Sequence, residues 1–168
     1  NLNLLKEIQN RRSIRNYLPG EINKDTILDL LQAGILAPSA KNNQPWRFVI
    51  VSNNIKNKIS AKMIELFGQN KTAEVIKTVP YLVLVYNKDN EYFNHLSIGA
   101  AIENILLEAT NKGLGTLWIG YIKKIEDYVK DLVQIDYELV SAIAIGIKNE
   151  DPVTRPRLNL EEVLIYRD

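Results

Sequence analysis

Apolar residues recur along this chain with two periods, and the switching between them predicts the order of elements. Leu4, Leu5 and Ile8 stand at helical spacing and predict a short amphipathic helix over residues 2–10. Leu18-Pro19-Gly20 reads as a turn. A second helix follows Asn23, a residue suited to capping its first turn. Its expected buried face carries Ile27, Leu28, Leu30, Leu31 and Ile35, and Pro38 stops it. Residues 46–51 are aromatic and β-branched and predict a strand. A third helix is expected over 54–67, and a short polar helix or loop over 71–78. Residues 81–86 are apolar without alternation, which suits a strand covered on both faces. Residues 93–111 form the most apolar predicted helix, expected to be buried nearly all round, either in the core or in a subunit interface. Gly113 suits the position just past its end. A short strand or turn (116–122), a helix (125–133), a strand with small residues (139–147), a loop (151–157) and a strand-like tail (160–166) complete the chain. Helices and short strands intermix, so a single layered α+β or α/β domain over residues 1–168 is expected.

Composition narrows the function more than the fold. The apolar share of 46% and charged share of 24% are ordinary for a globular domain. A net charge of +1 gives no electrostatic footprint for nucleic acid or a membrane surface, so neither partner is expected. There is no cysteine, which removes disulfides, thiolate catalysis and zinc–thiolate sites. No run reaches the ~18 apolar residues of a membrane span, and the first residues lack a signal-peptide pattern. A soluble, cytoplasmic protein is the expectation.

Four segments carry candidate chemistry. Arg11-Arg12-Ser13-Ile14-Arg15 places three guanidiniums and a hydroxyl within one short stretch. Guanidinium binds phosphate bidentately, but such a cluster is equally compatible with a solvated basic helix end. Pro38-Ser39-Ala40-Lys41-Asn42-Asn43-Gln44-Pro45-Trp46 sets amides and a hydroxyl between rigid prolines, which suits either the edge of a flat heterocycle or a plain connecting turn. Thr154-Arg155-Pro156-Arg157 is a second cationic pair, and if it meets the first in space the two make one phosphate pocket. The glycines of Gly113 to Gly120 allow close backbone approach or simply end a helix. They follow a helix and lack the third glycine of a dinucleotide fingerprint. Other chemistries lack their parts. His95 is the only histidine and no G-x-S-x-G elbow accompanies it, so it reads as a structural or surface residue. There is no P-loop and no metal-ligand spacing. Glu103 and Glu108 are five apart on a helix, which is poor geometry for an acid–base pair.

Taken together these segments resemble the FMN-dependent nitroreductase family. The resemblance rests on R-R-S-x-R at Arg11–Arg15, A-P-S-A-x-N-x-Q-P-W at Ala37–Trp46, G-A-A-x-x-N-x-L-L-x-A-x-x-x-G-L-G at Gly99–Gly115, W-I-G at Trp118–Gly120 and R-x-R at Arg155–Arg157. It implies an α+β, three-layer domain with a central, mostly antiparallel sheet flanked by helices. It also implies a homodimer with FMN at the interface and an exchanged C-terminal arm, the tail from Leu160 to Tyr166. Arg11, Arg12, Ser13 and Arg15, with Arg155 and Arg157, resemble the residues that hold the FMN phosphate and ribityl chain. Pro38, Ser39, Ala40 and Asn42 resemble the loop that reaches the flavin from the partner, and Trp118, Ile119 and Gly120 the turn that meets the flavin ring. Asn70 stands where a ribityl-binding Asn is expected. NADH or NADPH would donate hydride, and a nitroaromatic, quinone or other electron-poor small molecule would accept it, in ping-pong order. A flavin-binding or flavin-processing protein on the same scaffold is the alternative. The chain departs from larger members in having only about ten polar residues between 81–86 and the long helix, where those members carry a helical excursion that shapes the substrate pocket.

Overall fold

A computed structural model describes residues 3–168. Among them the elements run, in chain order, α1 (Lys6–Asn10), β1 (Tyr17–Leu18), α2 (Lys24–Ile35), β2 (Trp46–Ile50), α3 (Asn53–Phe67), α4 (Lys71–Thr78), β3 (Tyr81–Asn87), α5 (Asn94–Asn111), β4 (Gly115–Ile119), α6 (Glu126–Val133), β5 (Glu138–Lys148) and α7 (Leu160–Val163). A short 3₁₀ segment lies at Tyr121–Ile125, and a tight turn at Ala40–Asn42.

The unbroken apolar run of β3 has the cause its sequence suggests. β3 lies between β2 and β5, antiparallel to both, and each of its faces is roofed by helices. Leu82, Leu84 and Tyr86 point into one core with Ile59 and Met63 of α3, Ile76 of α4 and Val129 of α6. Val83 and Val85 point into the other, with Ile27 and Leu30 of α2 and Ile98, Ile102 and Ile105 of α5. Strand alternation therefore divides one run between two cores. β4 pairs along the middle of β5, from Gly115 opposite Gly146 to Ile119 opposite Ala142, and β1 pairs with its end at Ile147 and Lys148. The sheet is antiparallel throughout its ladders, and the domain is the expected α+β three-layer arrangement.

Local signals set most element ends. The Asn23 side chain accepts from the Asp25 N–H at 2.8 Å and caps α2. Gly113, at φ +74°, lets the chain leave α5, with the Leu114 N–H donating to the Ala109 carbonyl.

Several expectations need correction. Leu2, the start of the first predicted helix, lies outside the described residues, and α1 itself is a single turn. Leu28 and Ile35 face solvent rather than the core, because α2 buries only the stripe of Ile27, Leu30 and Gly34 against α5. α5 is buried on one broad face, while Leu96 stays exposed. β1 is too short for its alternation to register in the sequence. The tail is not a strand within this chain. A capping box between Asn159 and Glu162 winds it into α7, and its apolar side chains remain in solvent.

Candidate functional site

The two arginine clusters, 140 residues apart, meet. After α1 the chain turns so that Ile14 enters the core, its N–H bonded to the Thr116 carbonyl at 2.9 Å. Strand-like alternation then leaves Ser13 and Arg15 on the outside. Beyond β5 the chain runs back beside this segment: the Asn149 N–H donates to the Asn16 carbonyl at 2.9 Å, and the Arg15 N–H to Glu150 Oε2 at 2.6 Å. The result is a cavity of about 320 Å³ lined by Arg11, Arg12, Ser13, Arg15, Thr154, Arg155 and Arg157, with Glu150 its one carboxylate.

These arginines are not equivalent. Arg12 is a tie between the two segments, donating to the carbonyls of Gln9, Arg11 and Pro152 and to the Thr154 hydroxyl. Its donors are committed to protein, so it builds the cavity wall. Among the described residues, the Arg11 guanidinium keeps only a long ion pair, 3.8 Å, to Glu103. Burial raises the Glu103 carboxyl pKa, and Arg11 opposes that rise. Arg157 donates one N–H to the Arg155 carbonyl at 2.9 Å. Among the described residues, the guanidiniums of Arg15 and Arg155 make no hydrogen bond or ion pair. Four guanidiniums thus turn largely uncommitted donors toward one small space, which a phosphate group matches in charge and geometry.

The loop after α2 is the second part. Lys41, Asn42 and Gln44 all hold positive φ, at 56°, 53° and 48°. Each such non-glycine residue costs roughly 1 kcal/mol or more, so the conformation persists only where surrounding contacts impose it. The Ser39 hydroxyl accepts from the Gln44 N–H at 3.0 Å, and the Asn43 side chain donates to Asn94 Oδ1 at 2.9 Å. Pro38, Ser39, Ala40 and Asn42 do not line the arginine cavity. Ala40 instead borders a separate space of about 300 Å³ with Lys41, Asn43, Tyr92 and Phe93.

The third part is the turn after β4. Trp118 donates from Nε1 to the Ser141 hydroxyl at 2.7 Å, and Ser141 donates to the Ile119 carbonyl at 2.9 Å, which fixes the strand end. Gly120 adopts an unstrained φ of −76°, and a Cβ placed there would touch nothing within 4 Å. Neither conformation nor packing inside this chain demands glycine at that position.

A polar network that the sequence did not reveal lies beside these parts. Asn94 and Asn87, both buried, connect Asn43 to Glu138, and His95 Nε2 and Lys123 Nζ also reach Glu138, at 2.9 and 3.3 Å. Burial opposes ionisation of Glu138. The hydrogen bonds from Asn87, His95 and Lys123, with the charge of His95, outweigh that and hold its pKa down at about 2. The signal was available only as three separate asparagines in polar turns. Asn70 is a helix cap: its side chain accepts from the Ala73 N–H and donates to the Gly68 carbonyl, both at 2.8 Å, so its donors and acceptor are engaged at α4. His95 is a surface residue, as its sequence context suggests.

The sequence profile of the nitroreductase family matches residues 8–147. This chain belongs to the nitroreductase family. Members of this oxidoreductase family recur among its relatives. A protein of Archaeoglobus fulgidus named "Putative NADH dehydrogenase/NAD(P)H nitroreductase" is 33% identical, over 88% of this chain and 86% of its own length. A protein of Thermotoga neapolitana named iodotyrosine deiodinase is 24% identical, over 92% of each chain. A crystal structure from Desulfovibrio desulfuricans, described as a "putative nitroreductase in complex with fmn", superposes with a TM-score of 0.86, at 28% identity, over 100% of this chain and 98% of that one. Arg155 and Arg157 fall beyond the stretch the family profile matches, so their place in the cavity rests on the structure alone.

Proposed function

We propose that this nitroreductase-family enzyme is an FMN-dependent NAD(P)H oxidoreductase acting on an electron-poor small molecule. One observation carries the reading: segments 11–15 and 154–157 converge on one cavity with four guanidiniums available to a phosphate. The fit with FMN is chemical as well as electrostatic. Arg11, Arg15, Arg155 and Arg157 would hold the phosphate dianion, Ser13 supplies a hydroxyl for its ester or the ribityl chain, and Arg12 keeps the two walls together. The open space at Gly120 leaves room for a flat ring to approach the backbone. Bound FMN would supply hydride acceptance from a reduced nicotinamide and hydride return to the acceptor, chemistry that belongs to the cofactor.

The chain's own residues would bind and orient. None is needed as a nucleophile, which accords with a sequence that has no cysteine and one surface histidine. The loop at 38–42 lies outside the arginine cavity of its own chain, and the tail exposes Leu158, Leu160, Val163, Ile165 and Tyr166. Both features support a homodimer in which one protomer's loop and tail complete the other's site. The relative named iodotyrosine deiodinase supports leaving the identity of the acceptor open.

The test is the visible spectrum after reconstitution with FMN, desalting and anaerobic addition of NADH or NADPH. Retained flavin bands that bleach are expected. Bands that persist without bleaching would point to a flavin-binding protein without turnover, and loss of all flavin would overturn the reading.

A further inference from the structure

The strained loop at 39–44 and the sheet are joined by a chain of three side-chain amides. Asn43 Nδ2 donates to Asn94 Oδ1 at 2.9 Å, Asn94 Nδ2 donates to Asn87 Oδ1 at 2.9 Å, and Asn87 Nδ2 donates to Glu138 Oε1 at 3.0 Å. The direction of this chain is dictated by its end. Glu138 is an ionised carboxylate and can only accept, so Asn87 must present its NH₂ to it and its oxygen to Asn94. Asn94 must then donate toward Asn87, a choice enforced by Asp89, whose carboxylate also accepts from Asn94 Nδ2, at 2.6 Å. Only the oxygen of Asn94 is left for the loop, and Asn43 meets it as a donor.

Two properties make this a positioning device rather than incidental surface bonding. Asn87 and Asn94 are 4% and 3% exposed, so a misdirected amide could not turn to water instead. The loop residues on either side of Asn43, Asn42 and Gln44, both hold positive φ, and Lys41 does so one residue earlier. Non-glycine residues do not keep that geometry without restraint. Asn43 sits within the run, and its side chain links the loop to buried Asn94 at the start of α5 and, through it, to Asn87 of β3. The remaining restraints are weaker or local: Ser39 Oγ accepts from the Gln44 N–H at 3.0 Å, and Ser97 Oγ from the Ala40 N–H at 3.4 Å.

We infer that Asn94, acting through Asn43 and oriented by Asn87 and Glu138, is a positioning residue that holds loop 39–44 in its left-handed conformation for contact with the flavin of the active site. The inference rests on the proposed FMN function for its last clause and on the hydrogen-bond geometry for the rest. It assigns a task to a buried asparagine pair, Asn87 and Asn94. It also gives Glu138 a function beyond its ion pairs, as the fixed acceptor that sets the amides' direction.

The experiment compares the wild type with Asn43→Asp, Asn43→Ala and Asn94→Ala. Asn43→Asp keeps size and loop propensity but replaces a donor by an acceptor facing Asn94 Oδ1 and the Asp89 carboxylate. Three readouts are taken: hydrogen exchange of peptides spanning 38–46 in the apo protein, FMN affinity by flavin fluorescence quenching, and visible circular dichroism of the bound flavin. Faster exchange in all three variants is expected, with FMN affinity reduced about tenfold, the size of one lost buried hydrogen bond. A double Asn43→Ala/Asn94→Ala variant should bind FMN less weakly than the sum of the two single losses predicts, because both remove the Asn43–Asn94 contact. If Asn94→Ala does not fold, the two Asn43 variants decide alone. Unchanged exchange in Asn43→Asp overturns the inference. So does faster exchange with unchanged FMN affinity and dichroism, which would leave the amides a purely structural role. If the wild type binds no FMN, the functional reading fails first, and hydrogen exchange alone then judges whether the amide chain holds the loop.

Discussion

β3 and the C-terminal tail both carry runs of apolar residues, yet one is buried along nearly its whole length and the other lies in solvent. From Leu82 to Val85 every side chain of β3 is 0% exposed. Leu160, Ile165 and Tyr166 of the tail are 70%, 72% and 82% exposed. The strand has neighbours on both edges and helices on both faces, so each side chain finds a core in its own chain. The tail has local order, through the capping box of α7, but no surface of its own chain to cover it. Hydrophobic character states a demand for burial and is silent about which chain meets it. The strand completes the fold, and the tail is the surface that the proposed dimer would cover.

The contrast can be broken at its buried end first. Leu84→Ala removes a fully buried side chain from the α3, α4 and α6 side of the sheet and should cost about 3 kcal/mol in denaturant unfolding. A cost below ~1 kcal/mol would mean that this core is loosely packed. The tail should respond in a different observable. Deleting residues 158–168 leaves both cores intact, so the far-ultraviolet spectrum should persist. The dependence of Tm on protein concentration should disappear, and light scattering should report a monomer. A truncated protein that stays dimeric would refute the assignment of the tail to a partner. The smallest effect is expected where β3 ends and polar contacts replace the core, at Asn87 beside Glu138. The Glu138 pKa of about 2 lies below the ordinary 4.5, so the folded state binds its proton less readily than the unfolded chain. Its contribution to stability is therefore complete above about pH 4.5 and is lost as pH falls toward 2. Glu138→Gln should flatten the decline of Tm across that window, and an unchanged slope would show that other carboxylates govern it.

The same contrast separates what was legible in the sequence from what was not. Asn23, Gly113 and the run at 81–86 announced their structures because caps, C-terminal glycines and two-sided strands depend on residues within a turn or two. The tail misled for a related reason: Asn159 and Glu162 form a local cap that outweighs β-like apolar content when no strand lies alongside. Asn70 resembled a cofactor ligand by position, and its side chain serves α4. Arg12 could not be told from Arg11 or Arg15, since only the fold shows whose donors are already engaged.

By itself, the sequence determined most of the longer helices and strands, the absence of thiols, and the motifs that mark the family, because each of these is a property of neighbouring residues. The tertiary structure decided the rest. It brought Arg155 and Arg157 to Arg11 and Arg15 by running the chain back beside residues 11–16 after β5. It also aligned Asn43, Asn94, Asn87 and Glu138 into one directed chain across four separate segments. Cavities and buried networks are made of distances between residues far apart in sequence, and only the packing of the two cores about one sheet fixes those distances.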